Sequence, residues 1–287
     1  MNNKAINIKG NLISLQTPLV MGILNVTPDS FYAASRKQTE KDIHQRITAI
    51  LEEGGRIIDL GAYSSRPSAC EVTEEEEMQR ITPALQIISK HYPGTIVSID
   101  TFRAAIALRS VETYGADIIN DISGGELDAG MFTALASLNV PYILMHMRGA
   151  PQTMQQHTTY DNLIVDIRKY FADKIYRLGL MGVNDIILDP GFGFSKTTEQ
   201  NFQLMRQLDD LAIFELPILV GISRKSMIYE TLGITPDNSL NGTTVMHAIA
   251  LLNGASIIRA HDVREAVETV RLIERYTKNN PPCGTSE

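Results

Sequence analysis

The sequence predicts an α/β fold, a (β/α)8 TIM barrel with a short N-terminal β-hairpin. The first observation is a set of eight short apolar runs, each followed by a segment with helical periodicity. The second observation is that every run ends in a polar or charged residue; the runs are Pro18–Asn25, Arg56–Asp59, Thr95–Asp100, Asp117–Asn120, Pro141–His146, Asp185–Asp189, Pro217–Ser223 and Ala255–His261. Buried parallel strands account for the apolar part. Their carboxyl ends meet at one mouth of a barrel, where active sites lie, so the polar ends are candidate site residues.

The segments between the runs have apolar residues three or four positions apart, which places these residues on one face of a helix. Ile43, Ile47 and Ile50 show this spacing after the first strand, and the sixth helix is expected to include Leu204 and Leu208. Strand and helix that alternate in this way form parallel sheets with right-handed crossovers. An open sheet would use the same units, but eight of them favour a closed barrel.

Three segments divide the chain. Residues 1–17 are predicted to form a hairpin that plugs the opposite mouth of the barrel, because Ile6–Ile8 and Leu12–Leu15 flank the turn-forming pair Gly10-Asn11. Residues 18–278 form the barrel, and the polar residues 279–287 are expected to be a flexible tail.

Two connections differ from the others. Residues 27–39 follow the first strand and residues 64–72 follow the second, and both are rich in Ser, Pro and Arg. They lie at the carboxyl ends of strands, so we expect them to overhang the mouth as mobile lids.

Composition restricts the classes of function. The chain has 287 residues and a formal net charge of −7, which argues against broad binding to nucleic acid or to an anionic membrane. No run approaches the roughly 18 uninterrupted apolar residues of a membrane span. The two cysteines, Cys70 and Cys283, and the lack of a signal-like N-terminal stretch predict a cytoplasmic protein with unpaired thiols. A small-molecule substrate is therefore expected.

Asp100, Asn120 and Asp189 end three different predicted strands. Carboxylate and amide groups that converge on one pocket suggest a ligand with several N–H donors. A cyclic guanidine-like edge forms two parallel hydrogen bonds with one carboxylate, as arginine does. The alternative is that these side chains cap the helices that follow, where Asp and Asn are common.

A second group of residues suggests an anion site. Arg259 and His261 lie two positions apart on the eighth strand and so share a face. With Arg66 they are expected to hold a phosphate or diphosphate, which barrels often bind after the seventh and eighth strands. Ser223–Ser226 begins where the seventh strand ends, but Arg224 stands where a P-loop requires glycine, which excludes that motif.

Two further strand ends have candidate roles. The amide oxygen of Asn25 is a hard ligand suited to Mg²⁺ that substrate phosphates carry in. The spacing of Cys and His does not match a zinc site. Phe194 follows a glycine-rich segment that lacks the last glycine of a dinucleotide fingerprint, and its ring is expected either to stack on a ligand or to pack in the core.

Together these segments resemble the motifs of the dihydropteroate synthase family, in that family's order. The matching segments are Met21–Phe31, Ser98–Thr101, Asn120–Gly124, Met145–Gly149, Asp189–Phe194, Ser223–Ser226 and Arg259–Val263. The resemblance covers nearly the whole predicted barrel. It implies a transferase of folate biosynthesis that joins 6-hydroxymethyl-7,8-dihydropterin diphosphate to 4-aminobenzoate, uses Mg²⁺, forms a homodimer and is a target of sulfonamides.

The resemblance also implies roles for single residues. The pterin would be bound by Ser65, Asp100, Asn120, Met145, Asp189, Lys225 and Arg259. The diphosphate would be bound by Asn25, Arg66, Arg259 and His261, with Asn25 as the metal ligand. The aminobenzoate would be bound by Ser65, Pro67, Phe194 and Ser223. Lys225, Arg66 and Asp100 would be the catalytic residues.

One segment departs from the family pattern. Where the family usually has Gly-Glu-Ser-Thr-Arg-Pro-Gly, this chain has Ala62–Ser68, with Tyr63 in place of Glu and Ser65 in place of Thr. The Arg66-Pro67 pair is retained, so activity is expected to be intact, with an altered affinity for the aromatic acid. Two rivals remain: a methyltetrahydrofolate-dependent corrinoid methyltransferase, which needs no diphosphate site, and a catalytically silent pterin-binding protein.

Overall fold

The computed structural model describes residues 4–26, 36–63 and 72–278. The predicted lids therefore lie largely outside the described residues, as does the predicted tail at 279–287. Where the structure describes their flanks, it corrects one boundary, because the first barrel helix already begins at Arg36. Residues 36–40 include no glycine or proline, so nothing in their sequence opposes helix formation.

The N-terminal hairpin is present. Strands β1 (Ala5–Ile8) and β2 (Asn11–Ser14) pair antiparallel, with Ile6 opposite Ile13. The two-residue turn between them, Lys9 and Gly10, has positive φ angles of 49° and 85°, which suits the twist of a tight hairpin.

Within the described residues, eight parallel strands form the barrel. They are β3 (Leu19–Asn25), β4 (Ile57–Gly61), β5 (Ile96–Asp100), β6 (Ile118–Asp121), β7 (Tyr142–Met145), β8 (Ile186–Asp189), β9 (Leu219–Val220) and β10 (Ile257–Ala260). Strands β3 to β8 are neighbours in chain order, and β10 lies between β3 and β9. The ring closes between β8 and β9, where Leu188 bridges to Ile218 and its N–H donates to the Pro217 carbonyl at 2.9 Å.

Helices surround this barrel. They are α1 (Arg36–Glu52), α2 (Glu74–His91), α3 (Ala104–Tyr114), α4 (Met131–Leu138), α5 (Leu163–Leu180), α6 (Thr198–Arg206), α7 (Ser226–Leu232), α8 (Leu240–Leu252) and α9 (Val263–Lys278). The prediction that the sixth helix includes Leu208 is wrong, because α6 ends at Arg206 and Leu208 begins a 3-10 helix. The tighter winding buries Leu208 and Leu211, three positions apart, on one side. None of the described helices is both long and apolar enough to cross a membrane.

The barrel interior is filled in layers, each supplied by alternate strands, as in other barrels of this class. Strands β4, β6, β8 and β10 supply a layer that is fully apolar and buried; we call Ile57, Ile118, Ile187 and Ile257 the isoleucine layer. Ile6, Ile8 and Leu15 belong to the same apolar cluster. The hairpin therefore covers the amino-terminal mouth, as the sequence predicts, and leaves the carboxyl-terminal mouth for chemistry.

Two positions further along the same four strands, the side chains point inward again. The residues there are polar instead of apolar; we call Asp59, Asn120, Asp189 and Arg259 the polar layer. Above it, towards the mouth, the odd-numbered strands place Ile23, Asp100, Met145 and Gly221. The polar layer is thus the floor of the open mouth.

Candidate active site

A buried hydrogen-bond network joins three members of the polar layer, Asp59, Asn120 and Arg259, and extends to Asp100. Arg259 donates from Nε to Oδ2 of Asp59 at 2.6 Å and from Nη2 to Oδ2 of Asp100 at 2.7 Å. Asn120 donates from Nδ2 to the same Oδ2 of Asp59 at 3.0 Å. This bond uses the amino group of Asn120, so its oxygen is the atom left to accept from a ligand.

Asp100 lies at the level above, where its side chain is 21% exposed. Burial raises its pKa, the positive charge of Arg259 opposes that shift, and the negative charge of Asp59 adds to it. The alternative role as a helix cap is wrong for Asp100, because the residue that precedes α3 is Arg103 and the carboxylate that accepts from the first N–H of that helix, on Ala104, belongs to Asp128. Asp100 is therefore available to the mouth.

Gly221 shares this level and leaves space beside Arg259. A Cβ atom built on Gly221 would lie 3.8 Å from both Cβ and Cδ of Arg259, which is ordinary contact. A larger side chain at this position would extend over the guanidinium. Gly221 therefore keeps this side of Arg259 free of a side chain, which suits a planar ligand.

Asp189 and Lys225 face each other across this pocket. Oδ1 of Asp189 accepts from the N–H of Gly191 at 2.8 Å, while Oδ2 accepts no hydrogen bond from the described residues. Lys225 donates from Nζ to the carbonyl of Phe192, and this ammonium lies 4.6 Å from the centre of the Phe194 ring. Burial raises the pKa of Asp189 and lowers that of Lys225 to about 8, so Lys225 is still mainly protonated at neutral pH.

Arg224 turns the chain so that Lys225 enters the pocket. Its φ of 57° is in the left-handed region, and its N–H donates to Oγ1 of Thr243 at 3.1 Å. The guanidinium donates from Nε and Nη2 to the two oxygens of Asp262, at 2.9 and 2.7 Å. Arg224 therefore has a local partner, whereas Lys225 reaches the ligand pocket.

Phe194 lies on an apolar wall of the mouth. The wall consists of buried residues from the end of β7 and from the segments that follow several strands; it comprises Ile122, Met145, Met147, Met154 and Phe194, with Phe102 packed against it. Phe194 is 9% exposed, so packing and ligand contact are compatible for this ring. The sequence analysis missed Met147, Met154, Ile122 and Phe102, because apolar loop residues have no chemical signature.

The opposite edge of the mouth has the features expected of an anion site. Asn25 is exposed and makes no side-chain hydrogen bond with a described residue. A Cβ on Gly61 would lie 3.6 Å from its Oδ1, so that glycine keeps the amide accessible. Arg46, which the sequence analysis missed, donates from Nη2 to the carbonyl of His261 at 2.7 Å. Asn25, Arg46 and His261 line one cleft.

The ring of His261 lies against Ser223, whose Oγ is 3.2 Å from both Nδ1 and the backbone N of His261. Burial, followed by the charges of Arg259, Arg224 and Arg46, lowers the pKa of His261 to about 4. His261 is thus a neutral donor at pH 7. The hydroxyl of Ser223, which was predicted to bind the aminobenzoate, therefore hydrogen-bonds to His261 in this structure.

Lys196 is another site residue that the sequence did not predict. It is 3% exposed, and its Nζ lies 3.1 Å from Nδ1 of His146 and donates to the carbonyls of Gly191 and Phe194 at 2.9 and 3.0 Å. Burial lowers the pKa of Lys196 to about 7. Lys196 thereby stabilises the turn that follows Asp189 and carries Phe194. His146, for which the sequence predicted no role, contacts Nζ of Lys196 and helps to hold it there.

Comparison of the chain with known proteins identifies its family. Residues 21–261 match the model of the pterin binding enzyme family. Dihydropteroate synthase of Escherichia coli (strain K12) is 40% identical over 268 residues, covering 93% of this chain and 94% of the relative. The chain belongs to the dihydropteroate synthase family.

Solved structures agree with this assignment. Yersinia pestis dihydropteroate synthase with a sulfonamide drug complex superposes with a TM-score of 0.89 at 38% identity, covering 96% of this chain and all of that one (100%). Xanthomonas albilineans dihydropteroate synthase with 4-aminobenzoic acid gives a TM-score of 0.87 at 31% identity, covering 97% and 100%. The predicted fold class and family are thus confirmed.

Three of the residues that the family pattern implicates, Ser65, Arg66 and Pro67, lie outside the described residues. Both flanks of their segment contact Arg103. Its Nη2 donates to the carbonyl of Val72 at 2.6 Å, and its Cζ lies 5.9 Å from the ring centre of Tyr63. Tyr63, which replaces the family's usual Glu, accepts a hydrogen bond at its hydroxyl from Gln152 at 2.9 Å. Tyr63, the residue that departs from the family pattern, is therefore held at the rim of the mouth by Gln152.

Proposed function

We propose that the chain joins 6-hydroxymethyl-7,8-dihydropterin diphosphate to 4-aminobenzoate, producing 7,8-dihydropteroate and diphosphate in folate synthesis. The observation that carries this proposal is the convergence of Asp189, Asn120, Asp100 and Arg259 on one open mouth, in a chain of the dihydropteroate synthase family. A pocket that suits a heterocycle with several N–H donors then lies beside an edge that suits an anion.

Recognition of the pterin ring follows from the free polar atoms of the pocket. The guanidine edge of the ring presents N–H and NH2 groups in parallel, and a carboxylate accepts both. Asp189 supplies this carboxylate, since a carboxylate oxygen can accept more than one hydrogen bond and Oδ2 of Asp189 accepts none from the described residues. The oxygen of Asn120 and the free side of Asp100 accept further ring N–H groups. Lys225 donates to the ring's polar edge.

The bond that breaks joins the methylene carbon of the pterin substrate to the ester oxygen on the first phosphate of the diphosphate. Diphosphate leaves with the electron pair, the arylamine nitrogen attacks the methylene carbon, and that nitrogen then loses a proton. Arg259 has one amino group, Nη1, without a partner among the described residues, and it stabilises the charge that develops on the leaving group. A neutral arylamine is already nucleophilic, so the site needs no strong general base.

We propose Asn25 as the protein ligand of Mg²⁺. Among the described residues no three His, Cys, Asp or Glu side chains are grouped to hold a metal, so a dedicated cage is not present there. The exposed amide oxygen of Asn25 fits the alternative arrangement, in which Mg²⁺ keeps its waters and substrate phosphates and takes one protein oxygen. When bound, the ion would neutralise charge on the leaving diphosphate.

A homodimer is proposed from an exposed apolar face on the last helices. Val245, Ile249 and Leu252 are exposed at helical spacing on α8, and Leu272 and Tyr276 are exposed on the adjacent α9. A second copy of the chain would bury this face. Light scattering is expected to report a dimer, and the double variant Val245→Glu with Leu272→Glu is expected to be a monomer.

The cytoplasmic location stays a prediction.

Diphosphate release tests the proposed activity. Pterin diphosphate, 4-aminobenzoate and Mg²⁺ are mixed with the protein, and diphosphate and dihydropteroate are quantified together. Equal amounts of both products are expected, with no dihydropteroate when aminobenzoate is omitted. Chelation of Mg²⁺ should stop turnover, and Asn25→Ala should weaken binding of Mn²⁺ to the complex with pterin diphosphate, measured by electron paramagnetic resonance.

The silent pterin-binding alternative makes the opposite prediction. Calorimetry would then show that the pterin diphosphate binds, while neither diphosphate nor dihydropteroate accumulates. That outcome would overturn the proposed activity. Unchanged Mn²⁺ binding by Asn25→Ala would overturn only the metal assignment.

A further inference from the structure

Asp59 is the member of the polar layer with no role in the reaction so far. It is fully buried, and its Oδ2 accepts from both Arg259 Nε and Asn120 Nδ2. Its other oxygen, Oδ1, is buried and has no hydrogen-bond partner among the described residues. Asp59 is below the level of Asp100, so it lies behind the groups that face a ligand.

A buried carboxylate of this kind is costly to keep. Taking a charge out of water costs several kcal/mol, and a well-packed apolar side chain of similar size is often at least as stable. The layer directly below shows the apolar solution, since Ile57 stands two positions earlier on the same strand and is fully buried. Stability alone therefore gives no reason for a carboxylate at position 59.

The hydrogen bonds of Asp59 do provide a reason. Arg259 comes from β10 and forms ion pairs with two carboxylates, one from β4 and one from β5. Two anchors on one guanidinium, through Nε and Nη2, fix both the position and the plane of that rigid group. Without Asp59, the single contact to Asp100 would leave the guanidinium free to rotate about that contact.

Asp59 also orients Asn120. An amide has a donor end and an acceptor end, and the direction in which it points is set by its hydrogen-bond partners. The carboxylate accepts from the amino group of Asn120, so the carbonyl oxygen of Asn120 is directed away from Asp59. A single side chain thus fixes two neighbours of the pocket at once.

We infer that Asp59 is a positioning residue that holds Arg259 and Asn120 in the arrangement that binds pterin diphosphate. This inference rests on the proposed function, because it assigns the held groups to the ring and its diphosphate. It acts through these two residues and not through the aminobenzoate site.

Steady-state kinetics of Asp59→Asn test the inference. Asn keeps the size of Asp, but it lacks the charge for Arg259 and has only one oxygen to accept from two donors. The KM for pterin diphosphate is expected to rise by about tenfold, while the KM for 4-aminobenzoate stays within about twofold. Ser98→Ala is the matched control, because Ser98 is equally buried, pairs with Asp59 across the strands and has no hydrogen-bond partner among the described residues. The control should leave both KM values unchanged.

A double-mutant cycle with Arg259→Lys separates positioning from a merely structural effect. Lys cannot make the two anchored bonds, so Asp59→Asn should add less than about threefold to the loss caused by Arg259→Lys. Fully additive losses, or equal changes in both KM values, would contradict a role through Arg259.

A measurement on the unmutated protein keeps the inference testable if Asp59→Asn does not fold. The Nε–H of Arg259, identified by its loss from the spectrum of Arg259→Lys, should exchange with water far more slowly than that of the exposed Arg264. Equal exchange rates would overturn the inference. If the unmutated protein releases no diphosphate, the proposed function fails, and this exchange measurement still decides whether Asp59 holds Arg259.

Discussion

Nζ of Lys196 lies 3.1 Å from Nδ1 of His146, inside the turn that carries Asp189 into the pocket. The same Nζ donates to the carbonyls of Gly191 and Phe194, so one buried side chain joins three acceptors. Burial lowers the pKa of His146 well below 6.5, so the imidazole is neutral and its nitrogen accepts. The shape of the proposed pterin pocket therefore depends on Lys196, to which the proposed function gives no direct contact with the pterin.

Lys196→Met is expected to damage both stability and pterin binding. Each buried acceptor left without a donor costs about 1–3 kcal/mol, so a loss of about 3 kcal/mol in the free energy of unfolding is expected. The turn also loses its tie, so affinity for the pterin diphosphate, measured by calorimetry, should fall by about tenfold.

Lys174→Met is the matched control for this experiment. Lys174 is also 3% exposed, but it lies on α5 and pairs with Glu126, outside the barrel interior. This variant should lose stability and keep its pterin affinity. Equal loss of affinity in both variants would show that Lys196 acts only through general stability.

Asp189→Asn is expected to abolish measurable pterin binding. An amide presents one acceptor and one donor, so it cannot accept both N–H groups of the guanidine edge, and its NH2 group opposes one of them. Calorimetry should show that the affinity for the pterin falls by at least about 100-fold. The reason is that a buried hydrogen bond to a charged acceptor is lost and a donor without a partner takes its place. Unchanged affinity would refute the assignment of Asp189.

Asp185→Asn is the control for Asp189→Asn. Asp185 precedes β8, at the opposite end of the same strand, where its Oδ1 accepts from the backbone N–H of Asn7 in the hairpin. The substitution keeps that acceptor. Pterin affinity should match the unmutated protein.

Gly221→Val tests whether the space above Arg259 belongs to the ligand. A Cβ at this position makes ordinary contacts, so the protein should fold with a change of about 1 kcal/mol or less in unfolding free energy. The branched side chain would occupy the area proposed for the ring, so the Kd for the pterin diphosphate should rise by at least about tenfold. Gly179→Ala on α5, where no atom lies within 4 Å of the new Cβ, should leave the Kd unchanged. A Gly221→Val protein with native affinity would place the ring elsewhere.

The sequence could predict the barrel because its strands and helices have distinct periodicities along the whole chain. It could also predict Asp100, Asn120 and Asp189, because each ends an apolar run, and Arg259, because it shares a face with His261 at the end of the eighth run. Asp59 had the same signal, but the sequence could not show which strand ends are neighbours in a layer. That relation depends on the stagger of the closed barrel, which is a property of the whole sheet.

Lys196 and Gly221 show a different limit. A lysine after a glycine-rich segment is expected in solvent, and its burial follows from three acceptors that come from separate parts of the chain. Gly221 lies within an apolar run, and its importance depends on Arg259, 38 positions later, which passes 3.8 Å from the position that a Cβ on Gly221 would take. Such contacts join residues distant in sequence, so no local pattern predicts them.

His247 gives the last prediction, which concerns stability in acid. It lies on α8, is 1% exposed, and neither ring nitrogen has a hydrogen-bond partner among the described residues. Burial lowers its pKa from 6.5 to about 4, so the folded protein binds fewer protons here than the unfolded chain in that window. The corresponding stability is complete above pH 6.5 and is lost as the pH falls towards 4. Between pH 7 and pH 5 the loss of unfolding free energy from this group is about 2 kcal/mol.

His247→Leu should remove that loss, so urea unfolding should show a smaller difference in stability between the two pH values. His91→Leu, at an exposed position that ends α2, should keep the full difference. If His247→Leu and the unmutated protein lose equal stability between pH 7 and pH 5, His247 is not the group that titrates.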